Sequence, residues 1–259
     1  MKVTADREAG FPGDRFDFEV VPDPGCTEGD IRWSGGGDPP AGAGRRFSTA
    51  FAAEGTHSVT AACGDSVSSL GVEICRLETW FRNAREFYGS AIDFGRVRVK
   101  GSRLVIGAAG TGWTCSDVIR FKRPRTVDEL PDESTLIHEL GHVWQHQSGQ
   151  AQLLRGIVEQ LGKRFGRDPY NFGGPEGVRQ ASRLTDFRKE AQAEILRSYW
   201  MALQGRASDI HGALFATPGY VDDLRRLVES GIGAPRTRSR SMVGALDTAV
   251  ARLVNAILR

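Results

Sequence analysis

The spacing of apolar residues changes once along this chain, near residue 76, and that change restricts its fold more than any other feature. Before it, "DRFDFEVV" (14–21), "IRWSG" (31–35), "RRFSTAF" (45–51), "THSVTAACG" (56–64) and "SVSSLGVEIC" (66–75) are short, roughly alternating segments. A period of two puts the apolar side chains on one face of a strand. Turn-forming stretches such as "PDPG" (22–25) and "GGGDPPAGAG" (35–44) separate them, as in a small sandwich. After residue 76, "LETWFRNAREFYGS" carries apolar residues at 77, 80, 81, 84, 87 and 88, which is helical spacing. The expected fold class is α+β, with a small N-terminal β-sandwich over 1–76 and a mainly α domain with a few short strands over 77–259.

Within the second part, "RVRVKG" (96–101), "RLVIGAA" (103–109) and "SDVIRF" (116–121) read as strands. Helices are expected across the histidine-rich stretch at 134–149, over 150–165, over 187–205 ending at Gly205, and near 218–230 and 241–259. "GRDPYNFGG" (166–174) reads as a turn-rich loop, and no internal repeat is visible.

Composition excludes several classes. The chain is 40% hydrophobic and 25% charged, enough to bury a core and unlike a disordered segment. Its 34 Lys+Arg against 32 Asp+Glu leave a net charge of +2, which makes no case for nucleic acid. The cluster "RTRSR" (236–240) reads as a solvated linker. The N-terminus has no apolar core of a signal peptide, and no run is long enough to span a membrane. Synthesis in the cytoplasm is therefore expected, with export or loading into a particle to follow. The four cysteines, Cys26, Cys63, Cys75 and Cys115, allow three complete pairings. A bridge between two of the first three would suit an extracellular destination.

Three of the five histidines fall in "STLIHELGHVWQHQSG", residues 134–149. His138 and His142 are four apart, so on a helix they lie about 40° apart and one turn up. Both imidazoles then reach one ion from one face, with Glu139 beside them to act on water. This is the H-E-x-x-H arrangement of zinc hydrolases. Pro131, the acidic residues and the N-cap candidates of "LPDEST" precede an apolar run, Leu136, Ile137, Leu140, Val143 and Trp144, as a buried helix start requires. Gly141 costs the helix roughly 1 kcal/mol but lets another backbone approach.

Catalytic zinc takes three protein ligands and keeps one position open. His146, eight residues past His138, lies about 12 Å along the helix axis and is poorly placed. The extended motif with a third histidine would need Gly at 145 and His at 148; Gln145 and Ser148 stand there, which excludes it. An acidic residue from a second helix remains. Glu190 and Glu194 share a face of "KEAQAEILRSYW"; one could bind the ion while the other orients a ligand imidazole. Asp168 and Asp186 are weaker candidates. Tyr170, Tyr199 and His211 are candidates to stabilise an oxyanion.

Two resemblances add to this reading. The stretch "IRWSGGGDPP…GRRFSTAFAAEGTHSVTAACGD" resembles immunoglobulin-like or PKD-like modules of secreted bacterial proteins, which makes His57 a surface strand residue. "IDFGRVRVKG" (92–101), "VIRF" (118–121), "LIHELGHVWQHQ" (136–147) and "DFRKEAQAEILRSYW" (186–200) together resemble a family of zinc metallopeptidases. That family is encoded beside bacterial contractile injection systems and phage-tail-like particles, and is sometimes labelled Vgr (tail-spike) related. The resemblance covers roughly residues 80–205. It implies a zincin-like metallopeptidase domain of gluzincin type, Zn²⁺ on His138, His142 and Glu190, Glu139 as general base, and Glu194 as an orienting residue or alternative ligand. Ala191 stands where the family often has Gln. The expected activity is endopeptidase cleavage of a protein or peptide substrate, with injection-particle components as partners. The rival expectation is a metal-braced structural or cargo-loading component with no catalysis.

Overall fold

The structure is a computed structural model that describes residues 1–102, 105, 110–150 and 168–232. Save for Val105 and Gln150, the strand expected over 103–109, the helices over 150–165 and 241–259, and the basic cluster at 236–240 lie outside the described residues. Both strands and helices are present, so the chain is α+β. It divides into two units. One comprises Met1–Phe81, Lys100–Thr111 and Phe121–Pro131; the other comprises Arg82–Val99, Gly112–Arg120 and Asp132–Arg259.

Eight strands precede the first helix: β1 (Lys2–Ala5), β2 (Ala9–Gly10), β3 (Arg15–Val21), β4 (Arg32–Gly35), β5 (Ala41–Ala43), β6 (Arg46–Ala50), β7 (Gly55–Cys63) and β8 (Ser66–Ile74). They form two sheets, ordered β1-β3-β6 and β2-β8-β7-β4-β5. Alternation decides which faces meet. In β3, Phe16, Phe18 and Val20 are buried while Asp17 and Glu19 point out. They join Trp33, Val59, Ala61, Val72 and Ile74 of the other sheet in one core. Each Val, Ile or Phe side chain among them contributes about 1.5–3 kcal/mol on burial. Trp33 stacks on Phe47 at 5.6 Å and donates its indole N–H to Gly44 O at 2.7 Å, so its one polar atom is satisfied. Cys26 and Cys63 form a disulfide; Cys75 and Cys115 are not part of it and are buried. His57 lies on β7 with its ring stacked on Phe51.

Three of these strands were not expected. β1 and β2 are short, and β5 lies inside the Gly/Pro-rich stretch read as a turn. Gly42 explains why β5 is built from small residues: a Cβ there would sit 2.5 Å from the Phe47 ring.

Beyond residue 76 come α1 (Leu77–Tyr88), β9 (Arg98–Ser102), β10 (Gly112–Cys115), β11 (Val118–Lys122), α2 (Glu133–Gln147), α3 (Gly174–Gln180), α4 (Lys189–Leu203) and α5 (Tyr220–Ile232). The three strands form a sheet ordered β10-β11-β9; β10 and α3 were not expected. Asp132 caps α2, its carboxylate accepting from Thr135 N at 2.7 Å, a contact whose loss typically costs about 1 kcal/mol. Leu136, Ile137, Leu140, Val143 and Trp144 are all buried, which seats the helix deep in its unit. Tyr88 of α1 donates to Ile137 O at 2.6 Å. Helices α2 and α4 approach closely at Gly141, where a Cβ would lie 3.1 Å from Ala193 Cβ and 3.2 Å from Leu196 Cδ1. A bulky residue there would force them apart. Among the described residues no helix is long and apolar enough to cross a membrane.

Candidate metal centre

The close approach of α2 and α4 puts two histidines from one helix opposite two glutamates from the other. His138 Nε2 and His142 Nε2 are 3.2 Å apart. Glu190 Oε2 lies 3.2 Å from His142 Nε2 and 3.4 Å from His138 Nε2. Tetrahedral ligands about 2.0–2.1 Å from a zinc ion are about 3.3–3.4 Å from one another. The three donor atoms therefore already outline one face of such a tetrahedron, and the group could hold a metal ion.

The remaining ring nitrogens decide which lone pairs are offered. Gln192 Nε2 donates to Phe187 O at 2.8 Å, which turns its Oε1 toward Gln145. Gln145 Nε2 donates to that oxygen at 3.2 Å and to Lys189 O at 2.9 Å. Gln145 Oε1 is thus left as acceptor for His142 Nδ1, 3.0 Å away. With Nδ1 carrying the proton, His142 presents its Nε2 lone pair to the ion. The chain of bonds is anchored on a backbone carbonyl, so this tautomer follows from the geometry.

Glu194 serves His138 from the other side. Its Oε1 lies 2.8 Å from His138 Nδ1, within ion-pair range but out of line for a hydrogen bond. Its Oε2 and Ser198 Oγ, one turn further along α4, are buried with no hydrogen-bond partner among the described residues. Arg197 holds the arrangement from behind, with Nη1 3.5 Å from Glu194 Oε1 and Nε donating to Ser134 Oγ at 2.9 Å. Glu190 and Glu194 therefore occupy different places, the first against both donor nitrogens and the second against the far edge of His138.

In the absence of a cation these groups titrate as a cluster. Burial disfavours the His138 imidazolium, but Glu194 and Glu190 outweigh it and raise its pKa to about 10. His142 is also raised, Glu190 overcoming its burial. Burial works against the Glu190 carboxylate, yet His142 and His138 hold it well below the usual carboxylate range. Glu194 is lowered against its own burial by His138 and Arg197.

Glu139 is buried beside the donors, and its charge acts on both imidazoles. Strand β10 holds it in place. Thr114 Oγ1 donates to Glu139 Oε2 at 2.6 Å, and Gly112 leaves the space that the carboxyl fills. A Cβ on Gly112 would lie 2.6 Å from Oε1 and 2.7 Å from Cδ and Cγ. The arrangement can hold a carboxylate base next to a Lewis acid.

Of the three oxyanion candidates, Tyr170 lies at the centre, its ring 5.9 Å from that of His138. Burial, then Glu190, Glu139 and Glu194, push its phenol pKa up, so it stays a hydrogen-bond donor. Tyr199 packs against Phe87. His211 is exposed and packs against Phe172, and it acts electrostatically on Glu194. His146 is not among the converging donors. Asp168 instead accepts from Tyr170 N at 3.0 Å, and Asp186 accepts from Ser182 N and Arg183 N. Sequence reasoning missed Gly112, Thr114 and Gln145 as supporting residues. Only Gln145 left a readable signal, its i+3 spacing from His142.

No family model matches the chain. Over 126 residues, 46% of its length, the chain is 28% identical to the type VI secretion system spike protein VgrG2b of Pseudomonas aeruginosa. The match spans only 12% of that protein, and it links the chain by likeness to an injection-system component.

Proposed function

We propose that the chain is a zinc-dependent endopeptidase associated with a contractile injection system, as an effector or a processing factor. The observation that carries this reading is the placing of a buried carboxylate, Glu139, beside three donors at the edge lengths of a zinc tetrahedron. A structural zinc site closes its fourth position and has no use for such a base. The likeness to a spike protein supports the injection-system context.

His138, His142 and Glu190 would hold the ion; zinc there supplies Lewis-acid activation of a water and of the scissile carbonyl. Glu139 accepts the proton of the attacking water and delivers it to the leaving amine. Thr114 keeps that carboxylate aimed by its hydrogen bond to Oε2. Tyr170, held protonated, donates to the oxygen that gains charge as the carbonyl is attacked. Gln145 and Glu194 fix the two imidazole rings.

Two measurements test the reading together: zinc per chain by elemental analysis, and cleavage of a mixed peptide library followed by mass spectrometry. Wild type should carry one zinc and cut; Glu139→Gln should keep the zinc and lose roughly 10²–10⁴-fold in rate. Cleavage by Glu139→Gln at the wild-type rate refutes the mechanism. Zinc bound without cleavage of any peptide returns the protein to the metal-braced component.

A further inference from the structure

The unit that contains the sandwich has a cavity of about 690 Å³ whose charged lining is Arg7, Lys122, Arg123 and Arg125 against Asp6 and Glu129. That volume is within the usual range of small-ligand sites, about 300–1,000 Å³. The acidic side chains are already engaged. Asp6 Oδ2 accepts from Arg7 Nε at 2.9 Å and Nη2 at 2.5 Å, and its Oδ1 accepts from Asp17 N at 3.1 Å. Glu129 Oε2 accepts from Arg125 N at 2.7 Å.

Two of the cations, Arg7 and Arg123, each keep one donor that nothing among the described residues accepts. The Arg7 side chain is only 6% exposed, yet its Nη1 is buried without a hydrogen-bond partner. Its guanidinium is pinned between Asp6 and the Phe16 ring, 5.6 Å from the ring centroid. Arg123 Nε is likewise buried and unpartnered, while its Nη2 reaches Asp14 Oδ1 at 3.4 Å. A buried N–H without an acceptor costs about 1–3 kcal/mol, more when charged. Both belong to side chains that line this cavity, and an acceptor drawn in against them would satisfy them.

We propose that this cavity binds a phosphate group. Four cationic side chains stand against Asp6, Glu129 and the Asp14 that pairs with Arg123, so the site is net positive, and a phosphomonoester, about −1.5 to −2 at neutral pH, brings three acceptor oxygens to it. A carboxylate offers only two acceptor oxygens. Arg7 and Arg123 supply the inner donors and Lys122 and Arg125 the outer charge. The site is separate from His138, His142 and Glu190 and does not depend on the peptidase reading.

The test titrates the full chain with inorganic phosphate at constant ionic strength, followed by phosphorus NMR line width and by calorimetry. A nucleoside monophosphate and acetate are titrated in parallel. Phosphate should bind saturably, and Arg7→Met and Arg123→Gln should each weaken it at least about tenfold. Because Arg7 is buried, Arg123→Gln decides the question if Arg7→Met fails to fold. Tighter binding of the nucleotide than of phosphate identifies an esterified ligand, and the reverse identifies the free ion. Absence of saturation in folded wild type, unchanged affinity in Arg123→Gln, or acetate binding as tightly as phosphate overturns the proposal.

Discussion

Substituting Gly112 by alanine tests whether the position of Glu139, and not its mere presence, makes this site reactive. The backbone of Gly112 does not have a positive φ, so alanine meets no conformational strain there. Its methyl group meets the Glu139 carboxyl instead, 2.6 Å from Oε1 and 2.7 Å from Cδ and Cγ. Ordinary contact begins near 3.4 Å, so the carboxyl must move by about 0.8 Å or the strand must shift as far. A misplacement of about 1 Å at a reacting group can cost roughly 10²-fold in rate. The donors His138, His142 and Glu190 are held by α2 and α4, not by β10, so zinc content should stay at the wild-type value. The assay is library cleavage, with zinc content and melting temperature measured on the same preparation. Full activity in folded, zinc-loaded Gly112→Ala would refute the assignment of Glu139 as a positioned base. Loss of zinc along with activity would show that β10 supports the metal site itself.

Three further outcomes are expected. Glu190→Ala should lose zinc, whereas Glu194→Gln should weaken its binding by about 10–100-fold, the usual effect of removing a residue that orients a ligand; competition with a calibrated chelator separates the two. In metal-free protein the raised pKa of His138, about 10 against an ordinary 6.5, stabilises the fold fully below pH 6.5, and that contribution disappears as pH rises through about 10. The lowered pKa values of Glu190 and Glu194, against an ordinary 4.5, add stability above pH 4.5 that is lost as pH falls through their folded values. Melting temperatures in chelator should therefore peak between pH 4.5 and 6.5, and zinc uptake at neutral pH should release protons, seen as a buffer-dependent calorimetric heat. Replacing Cys26 and Cys63 by serine opens a link across 37 residues and should cost about 4 kcal/mol in urea unfolding. An unchanged midpoint would show that the bridge adds nothing to the sandwich.

What could be read from the sequence divides along the range of the interactions. Helices α2 and α4 were legible because periodicity, capping residues and motif spacing act within one or two turns. Strand β3 was legible because Phe16, Phe18 and Val20 alternate with charges. Strand β5 was hidden in glycines and alanines whose reason is a ring from a strand of the other sheet, Phe47 over Gly42. The disulfide had several possible partners until β7 carried Cys63 to Cys26. Thr114 and Gly112 had no signature at all, since a threonine and a glycine acquire their role only from Glu139, 25 residues from Thr114. Gln145 was visible but read only as the residue that excludes a longer histidine motif; in three dimensions it sets the tautomer of His142. The pair at 190 and 194 shows the limit most clearly. Spacing of four puts both glutamates on one face, so sequence alone offers them as equals. What separates their places is where the two helices cross, and that depends on Gly141 admitting Ala193. The smallest side chains in the centre thus decide which carboxylate lies against both donor nitrogens and which lies behind an imidazole.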